Sequence, residues 1–153
     1  MSETPDAARE RLAALEAVAR AAYSLSAADA RLRGRATRVP GALSLTHARA
    51  LRVLAERGPL PVKELAQAAE TTSAAATQLV NGLEQAGYVT RERPHGDRRS
   101  VLVSLTDSGA RRHRERERLL AAALDTRLAT LDAEALQAGA AVLRELAVIY
   151  DTL

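Results

Sequence analysis

The first part of the chain places apolar and charged residues at the spacing of a helix. From Asp6 to about Arg33 it contains no proline or glycine and is rich in Ala, Leu, Arg and Glu, a composition that favours helix. The pattern predicts one helix of about 25 residues, which at about 1.5 Å per residue is longer than a small core requires. Gly34, Pro40 and Gly41 then interrupt the pattern and predict a linker.

Three shorter helical patterns follow in quick succession. The second helix is expected over 46–56, with Thr46 as its cap. The third begins near Pro61, a residue tolerated in a first helical turn. The fourth spans about 72–85 and ends before Gly87. Three short helices in this order predict a helix-turn-helix.

After the fourth helix the period of the pattern changes from helical to alternating. Residues 88–93 and 98–105 read as two strands, and the proline and glycine of 94–97 supply the turn between them. A fifth helix is expected from about 107 to 129, and a sixth begins after Asp132. The sequence therefore predicts a mainly α fold with one small β-hairpin.

Composition narrows the class of protein. The chain has 153 residues, a net charge of +3, no cysteine, and 22 basic residues of which only Lys63 is not arginine. Arginine favours phosphate and guanine edges, although a genome rich in G and C would produce the same bias. Without cysteine, thiol redox switching is excluded. Neither a signal peptide nor a membrane span is evident, so we expect a soluble, cytoplasmic protein with no membrane partner.

The fourth helix has a small polar face that could enter a DNA major groove. A helical wheel at about 100° per residue gives an inward side formed by Thr72, Ala76, Leu79, Leu83 and Ala86. The opposite side carries Thr77 and Asn81, flanked by Ser73, Ala74 and Gln78. Small polar residues also occur on any solvated helix, so this face alone leaves both readings open.

The hairpin concentrates four guanidinium groups within nine residues: Arg91 and Arg93 before the turn, Arg98 and Arg99 after it. Asp97 could hold one of them in orientation. A protruding tip with arginine can enter the narrow, negative minor groove. A solvated hairpin with an internal Asp–Arg pair is the alternative.

These elements carry a resemblance to a known family. The segments LEQAGYV at 83–89, Arg91, DRRS at 97–100 and LTDSG at 105–109 resemble, in order and spacing, the MarR transcriptional regulators, and the likeness covers nearly the whole chain. It implies a single domain over 1–153, in which a winged helix-turn-helix unit at 45–106 is combined with N- and C-terminal dimerisation helices at 6–33 and 107–153. In that family the terminal helices of two subunits interlock, the fourth helix enters the major groove, and the wing reaches the minor groove.

Carried over by position, the resemblance implies that Ser73, Thr77 and Gln78 face bases, that Asn81 lies near the DNA backbone, and that an arginine of the wing enters the minor groove. The chain departs from the usual pattern because the three alanines of 74–76 offer no hydrogen-bonding side chain. Direct base reading is therefore expected to be sparse, with more of the specificity left to thymine methyl contacts and DNA shape.

The resemblance implies a homodimeric repressor that binds a double-stranded, pseudo-palindromic operator and is released by a small anionic or aromatic effector. Tyr23 and His47 are candidates for the effector site, although a packed tyrosine and a surface histidine would look the same in sequence. A winged-helix protein-interaction module and a constitutive DNA-binding protein remain the alternatives. No enzyme signature is evident, the three histidines have no metal-ligand spacing, and no cofactor is expected.

Overall fold

A computed structural model describes residues 5–36, 38–39, 42–93 and 101–153. Over these residues the chain forms six helices and three short strands. They are α1 (Pro5–Ala36), α2 (Leu45–Arg57), β1 (Leu60–Pro61), α3 (Val62–Ala68), α4 (Ser73–Gln85), β2 (Val89–Glu92), β3 (Leu102–Leu105), α5 (Asp107–Arg127) and α6 (Ala133–Thr152). The prediction of a mainly α fold with a small β-wing is confirmed.

The described residues fall into two compact units. One contains Arg31–Ala123, and the other contains the earlier part of α1 together with Leu124–Leu153. The first, here called the winged unit, holds the core: α2, α3 and α4 pack against one another and against the strands. Its largest fully buried side chains are Leu51, Leu65, Val80, Leu83 and Val103. Burying such side chains stabilises a fold by about 1.5–3 kcal/mol each.

The sheet has one strand more than the hairpin that the sequence predicts. Its order is β1-β3-β2, and both neighbours of the central strand are antiparallel to it. On β3, Val103 lies opposite Leu60 on one side and Arg91 on the other. Pro61 is the N-cap of α3, as the prediction of a proline at this helix start requires, and it also lies in β1, at the sheet edge where proline is tolerated.

Helix boundaries follow the local capping chemistry. Thr72 and Asp132 cap α4 and α6, each accepting a hydrogen bond from the backbone N–H three residues on. The predicted cap Thr46 is wrong, because Ser44 occupies that position: its backbone is extended and its Oγ accepts from the N–H of His47 at 3.2 Å. The helix therefore begins one residue earlier than expected.

The terminal helices carry many large apolar side chains that this chain leaves exposed. On α6 none of the described side chains is buried. The exposed set on α1, α5 and α6 comprises Leu12, Leu15, Tyr23, Leu25, Leu119, Leu120, Leu124, Leu136, Val142, Leu143, Val148, Ile149 and Tyr150. In the part of the chain that the structure describes, no helix has both the length and the apolar character that crossing a bilayer demands.

Candidate nucleic-acid interface

One side of α4 anchors it in the core of the winged unit. Ala76, Leu79 and Leu83 are buried, as predicted, and Val80 is buried beside them. Helix α4 packs against α3, α2 and β2, so it is covered over a wider arc than the single predicted stripe, and this wider arc includes Val80. The prediction that Thr72 and Ala86 face inward is wrong, because both lie beyond the ends of the helix and are exposed.

The outer side of α4 presents Ser73, Ala74, Thr77 and Gln78, all of which are exposed. The hydroxyl of Thr77 donates to the backbone carbonyl oxygen of Ser73 at 3.1 Å. Because that bond uses the only hydroxyl proton, the Thr77 side chain is left with oxygen lone pairs and a methyl group to offer outward. The Gln78 amide carries both donor and acceptor atoms, which can pair bidentately with an adenine edge.

Two of the predicted interface residues are bonded to each other. Arg91, on β2, donates from Nη2 to Asn81 Oδ1 at 2.6 Å and forms an ion pair with Glu84 in the last turn of α4. The Arg91 side chain is only 26% exposed, so its charged end is directed back onto the helix. Arg93, the residue that follows this strand, is exposed. The remaining wing predictions, Asp97, Arg98 and Arg99, lie outside the described residues.

The base of the wing is joined to α5 by a compact set of hydrogen bonds around Thr106. Its hydroxyl donates to the Gly87 carbonyl oxygen at 2.6 Å and accepts from the Gly109 N–H at 3.0 Å. Its own backbone N–H donates to the Tyr88 carbonyl oxygen at 3.1 Å. The same residue therefore caps α5 and links the strand that enters the wing to the helix that follows it.

A cavity of about 840 Å³ opens along one side of α4 within the winged unit. Its wall is formed by the last turns of α1, the chain segment that follows, the start of α2, and α4 itself. Residues on that wall include Arg33, Arg38, Leu43, Ser44, His47, Ala75, Gln78, Leu79, Gly82 and Tyr88. Of the described residues that line it, none is acidic, so the cavity combines apolar surface with positive charge.

His47 lies between the start of α2 and α4. Its Nδ1 is 2.6 Å from Ser44 Oγ, and a Cβ added at Gly82 would lie 3.6 Å from its Nε2. Burial lowers the pKa of the His47 imidazole below its ordinary value. When Ser44 donates to Nδ1 in the neutral ring, Nε2 carries the proton and presents it to the α4 side. Tyr23 does not line this cavity; it lies on the part of α1 in the other unit and is 69% exposed.

Comparison with known proteins shows which family the sequence and the fold resemble. The model of the MarR family matches residues 43–101, from just before α2 to the start of β3. A MarR family protein from Bacillus stearothermophilus of known structure is 26% identical over 94% of this chain and 97% of its own, with a TM-score of 0.62. The similarity to the MarR family therefore covers most of the winged unit in the family model and nearly the whole chain in the solved structure.

Curated relatives match this chain over about two fifths of its length. The organic hydroperoxide resistance transcriptional regulator of Bacillus subtilis is 41% identical over 61 residues, which are 40% of this chain and 42% of that protein. The HTH-type transcriptional regulator FarR of Neisseria gonorrhoeae is 37% identical over 67 residues, 44% of this chain and 46% of that protein. The chain thus matches less than half the length of each. Both are transcriptional regulators, in agreement with the expectation that the chain is not an enzyme.

Sequence reasoning found the outer face of α4 and missed what supports it. Glu84 was part of the motif that carried the family resemblance, but its ion pair with Arg91 joins two elements whose relative placement a pattern does not contain. Thr106 directly precedes the predicted fifth helix, but its hydrogen bond to the Gly87 carbonyl oxygen spans 19 residues and is not visible in a local pattern. The signal that could have found both is chemical: a buried or half-buried arginine needs an acceptor, and a cap hydroxyl has a proton to donate.

Proposed function

We propose that this chain is a sequence-specific, double-stranded DNA-binding transcriptional regulator of the MarR type. The observation that carries the proposal is the outer face of α4, where Ser73, Ala74, Thr77 and Gln78 are exposed on a helix whose opposite side is anchored in the core. A rigid helix with small polar side chains at its N-terminal half suits the major groove, which admits a helix and is read by such side chains. The wing, with Arg93, Arg98 and Arg99, supplies positive charge for the adjacent minor groove.

The regulator acts as a homodimer in this proposal. Large apolar side chains remain exposed along α1, α5 and α6, and extended apolar surface of this kind is typical of an obligate interface. A two-fold dimer presents two copies of α4, so its operator contains two inverted half-sites with centres about 34 Å, or one helical turn, apart. Repression is the mode of regulation we favour.

The finer part of the proposal is that a small anionic or aromatic effector releases the operator. The cavity beside α4 has a volume of about 840 Å³, within the range of about 300–1,000 Å³ that is usual for small-molecule sites. Its cationic residues Arg33 and Arg38 and the imidazole of His47 suit a carboxylate attached to an apolar body. The name of the Bacillus relative refers to organic hydroperoxide resistance, but we propose no oxidation of a thiol as the signal for this chain, because the sequence contains no cysteine.

The decisive experiment begins with sequencing of duplexes selected by the purified protein at a stated salt concentration. An inverted repeat is expected. Gln78→Ala and Thr77→Ala should then change the preferred bases, each by about 1–3 kcal/mol of discrimination if it makes a good base contact. Gln85→Ala is the matched control, since it makes the same change on an exposed residue at the other end of α4. Selection without a repeat, or equal effects at 78 and 85, would favour an interaction module.

Effector control is tested by titration of benzoate and 4-hydroxybenzoate with and without operator. If the compounds release DNA, operator must weaken their binding by the same factor, about 5- to 150-fold for a typical coupling. Gly82→Leu fills the wall beside His47 and should remove the effect while the protein still binds DNA. Compounds whose affinity is the same with and without operator would leave a constitutive DNA-binding protein.

A further inference from the structure

Arg91 lies on β2, the strand that leads into the wing, but its side chain forms hydrogen bonds with residues of α4. Its two terminal nitrogens contact two different acceptors, Asn81 Oδ1 at 2.6 Å and the carboxylate of Glu84. Asn81 and Glu84 are three residues apart and therefore lie on one face of the helix. A guanidinium is planar and its donors are fixed in a fork, so two acceptors on one side define its orientation.

We propose that Arg91, Asn81 and Glu84 form a clamp that fixes the wing relative to α4, and that Arg91 is a positioning residue instead of a DNA contact. The inference rests on the proposed DNA-binding function. In a winged helix the helix and the wing occupy neighbouring grooves, and a binding constellation must be held to within about 0.5 Å of its productive geometry. The link between them is short: β2 begins four residues after α4 ends, and Arg91 lies two residues before Arg93, the last residue described before the wing tip.

The clamp predicts that loss of Glu84 weakens DNA binding. Electrostatic repulsion alone predicts the opposite effect. Removing a carboxylate from a DNA-binding surface raises affinity, because it removes repulsion from the phosphates. If Arg91 contacted DNA, loss of Glu84 would also release the guanidinium for that contact. If Glu84 instead holds the clamp, its loss weakens binding despite the favourable change in charge.

The experiment measures operator affinity by fluorescence anisotropy over a range of salt concentrations for Glu84→Ala, with Glu92→Ala as the matched control. Glu92 is an exposed carboxylate on the same strand, next to Arg91 and outside the clamp. We expect Glu92→Ala to bind DNA at least as tightly as the unchanged protein. We expect Glu84→Ala to bind on the order of fivefold more weakly, which lies within the usual range of interaction energies between residues in contact. Tighter binding by Glu84→Ala would overturn the proposal.

The role of Arg91 is separated from that of a phosphate contact by the salt dependence. Loss of one phosphate contact lowers the slope of log affinity against log salt by about 0.9. We expect this loss for Arg93→Gln, whereas Arg91→Gln should lower affinity by a similar factor to Glu84→Ala and leave the slope unchanged. A fall of about 0.9 in the Arg91→Gln slope would show that the guanidinium reaches DNA and would overturn the assignment.

A charge exchange keeps the test valid if a single variant folds poorly. Glu84→Arg combined with Arg91→Glu restores an ion pair between the same positions, so it should recover most of the affinity that either change removes. Were Arg91 a DNA contact, the exchange would place a carboxylate against the phosphates and binding would be lost. If the unchanged protein binds no duplex at all, the proposed function fails; if it binds and the exchange does not recover affinity, only the clamp fails.

Discussion

Gly109→Ala should destabilise the protein strongly, because α5 passes against the backbone of the wing at this residue. A Cβ added at Gly109 would lie 1.9 Å from the Tyr88 carbonyl oxygen, 2.8 Å from its carbonyl carbon and 3.1 Å from Leu105 Cδ2. Carbon and carbonyl oxygen atoms normally approach to about 3.3–3.6 Å. The deficit exceeds an ångström, and the nearest atoms are backbone that cannot rotate aside.

The expected cost follows from what must move. Overpacking a tight site costs about 1–3 kcal/mol, occasionally more. Displacing Tyr88 also strains the hydrogen bond from Thr106 N to its carbonyl oxygen and the two that the Thr106 hydroxyl makes, each contributing about 0.5–1.5 kcal/mol. The higher helix propensity of alanine offsets at most about 1 kcal/mol of this loss in stability. We expect a net loss of about 2–4 kcal/mol in the free energy of unfolding.

Urea denaturation at one fixed protein concentration measures this loss, since the stability of a dimer depends on concentration. Gly34→Ala is the matched control: it lies inside α1, and apart from its two chain neighbours and the helix's own backbone the described residues place no atom within 4 Å of its added Cβ. It should raise stability by about 0.5–1 kcal/mol. If Gly109→Ala were as stable as Gly34→Ala, the close approach of α5 to the wing would be refuted.

Three further predictions concern the start of α2 and the terminal helices. Ser44→Ala removes the cap of α2 and should cost about 1 kcal/mol of unfolding free energy, whereas Thr46→Ala should cost less; the reverse order in urea would restore Thr46 as the cap. Because burial lowers the pKa of His47, its neutral form is favoured on folding, so stability should fall as the pH drops below about 6.5 and through the folded pKa. His47→Gln should flatten this part of the curve of unfolding free energy against pH, and an unchanged curve would contradict the assignment. Leu143→Glu, at a side chain 55% exposed on α6, should yield monomers by light scattering at micromolar concentration, while the unchanged chain gives dimers.

The parts of the fold that could be predicted from sequence are those specified by neighbouring residues. Asp132 caps α6 with a bond that spans three residues. Gly58 and Gly87 adopt φ of +78° and +76°, a region that glycine enters at little cost. Such signals act within one turn, so a pattern contains them completely.

Apart from the cap of α2 and the positions of Thr72 and Ala86 at the ends of α4, the features that sequence reasoning missed depend on contacts between elements. Strand β1 is only Leu60–Pro61, too short for alternation to be visible, and it exists because β3 offers it a free edge. The Arg91 interactions with Asn81 and Glu84 span ten and seven residues. A helical wheel places Asn81 on the outer face correctly, but the choice between a DNA backbone and a neighbouring guanidinium is made by tertiary geometry.

The three sides of α4 suit one short helix to both proposed roles, DNA reading and the response to an effector. Ala76, Leu79, Val80 and Leu83 hold it in the core, Thr77 is exposed on the outer side, and Ala75 and Gly82 line the cavity beside His47. Gln78 belongs to both the outer side and the cavity wall. A molecule in the cavity therefore directly contacts α4, the helix proposed to read DNA, and no other element has to transmit its effect. Because the clamp at Arg91 ties α4 to the wing, a small displacement of α4 would change the contacts in both DNA grooves at once. A ligand would change operator binding if its affinity differed between the two positions of the helix.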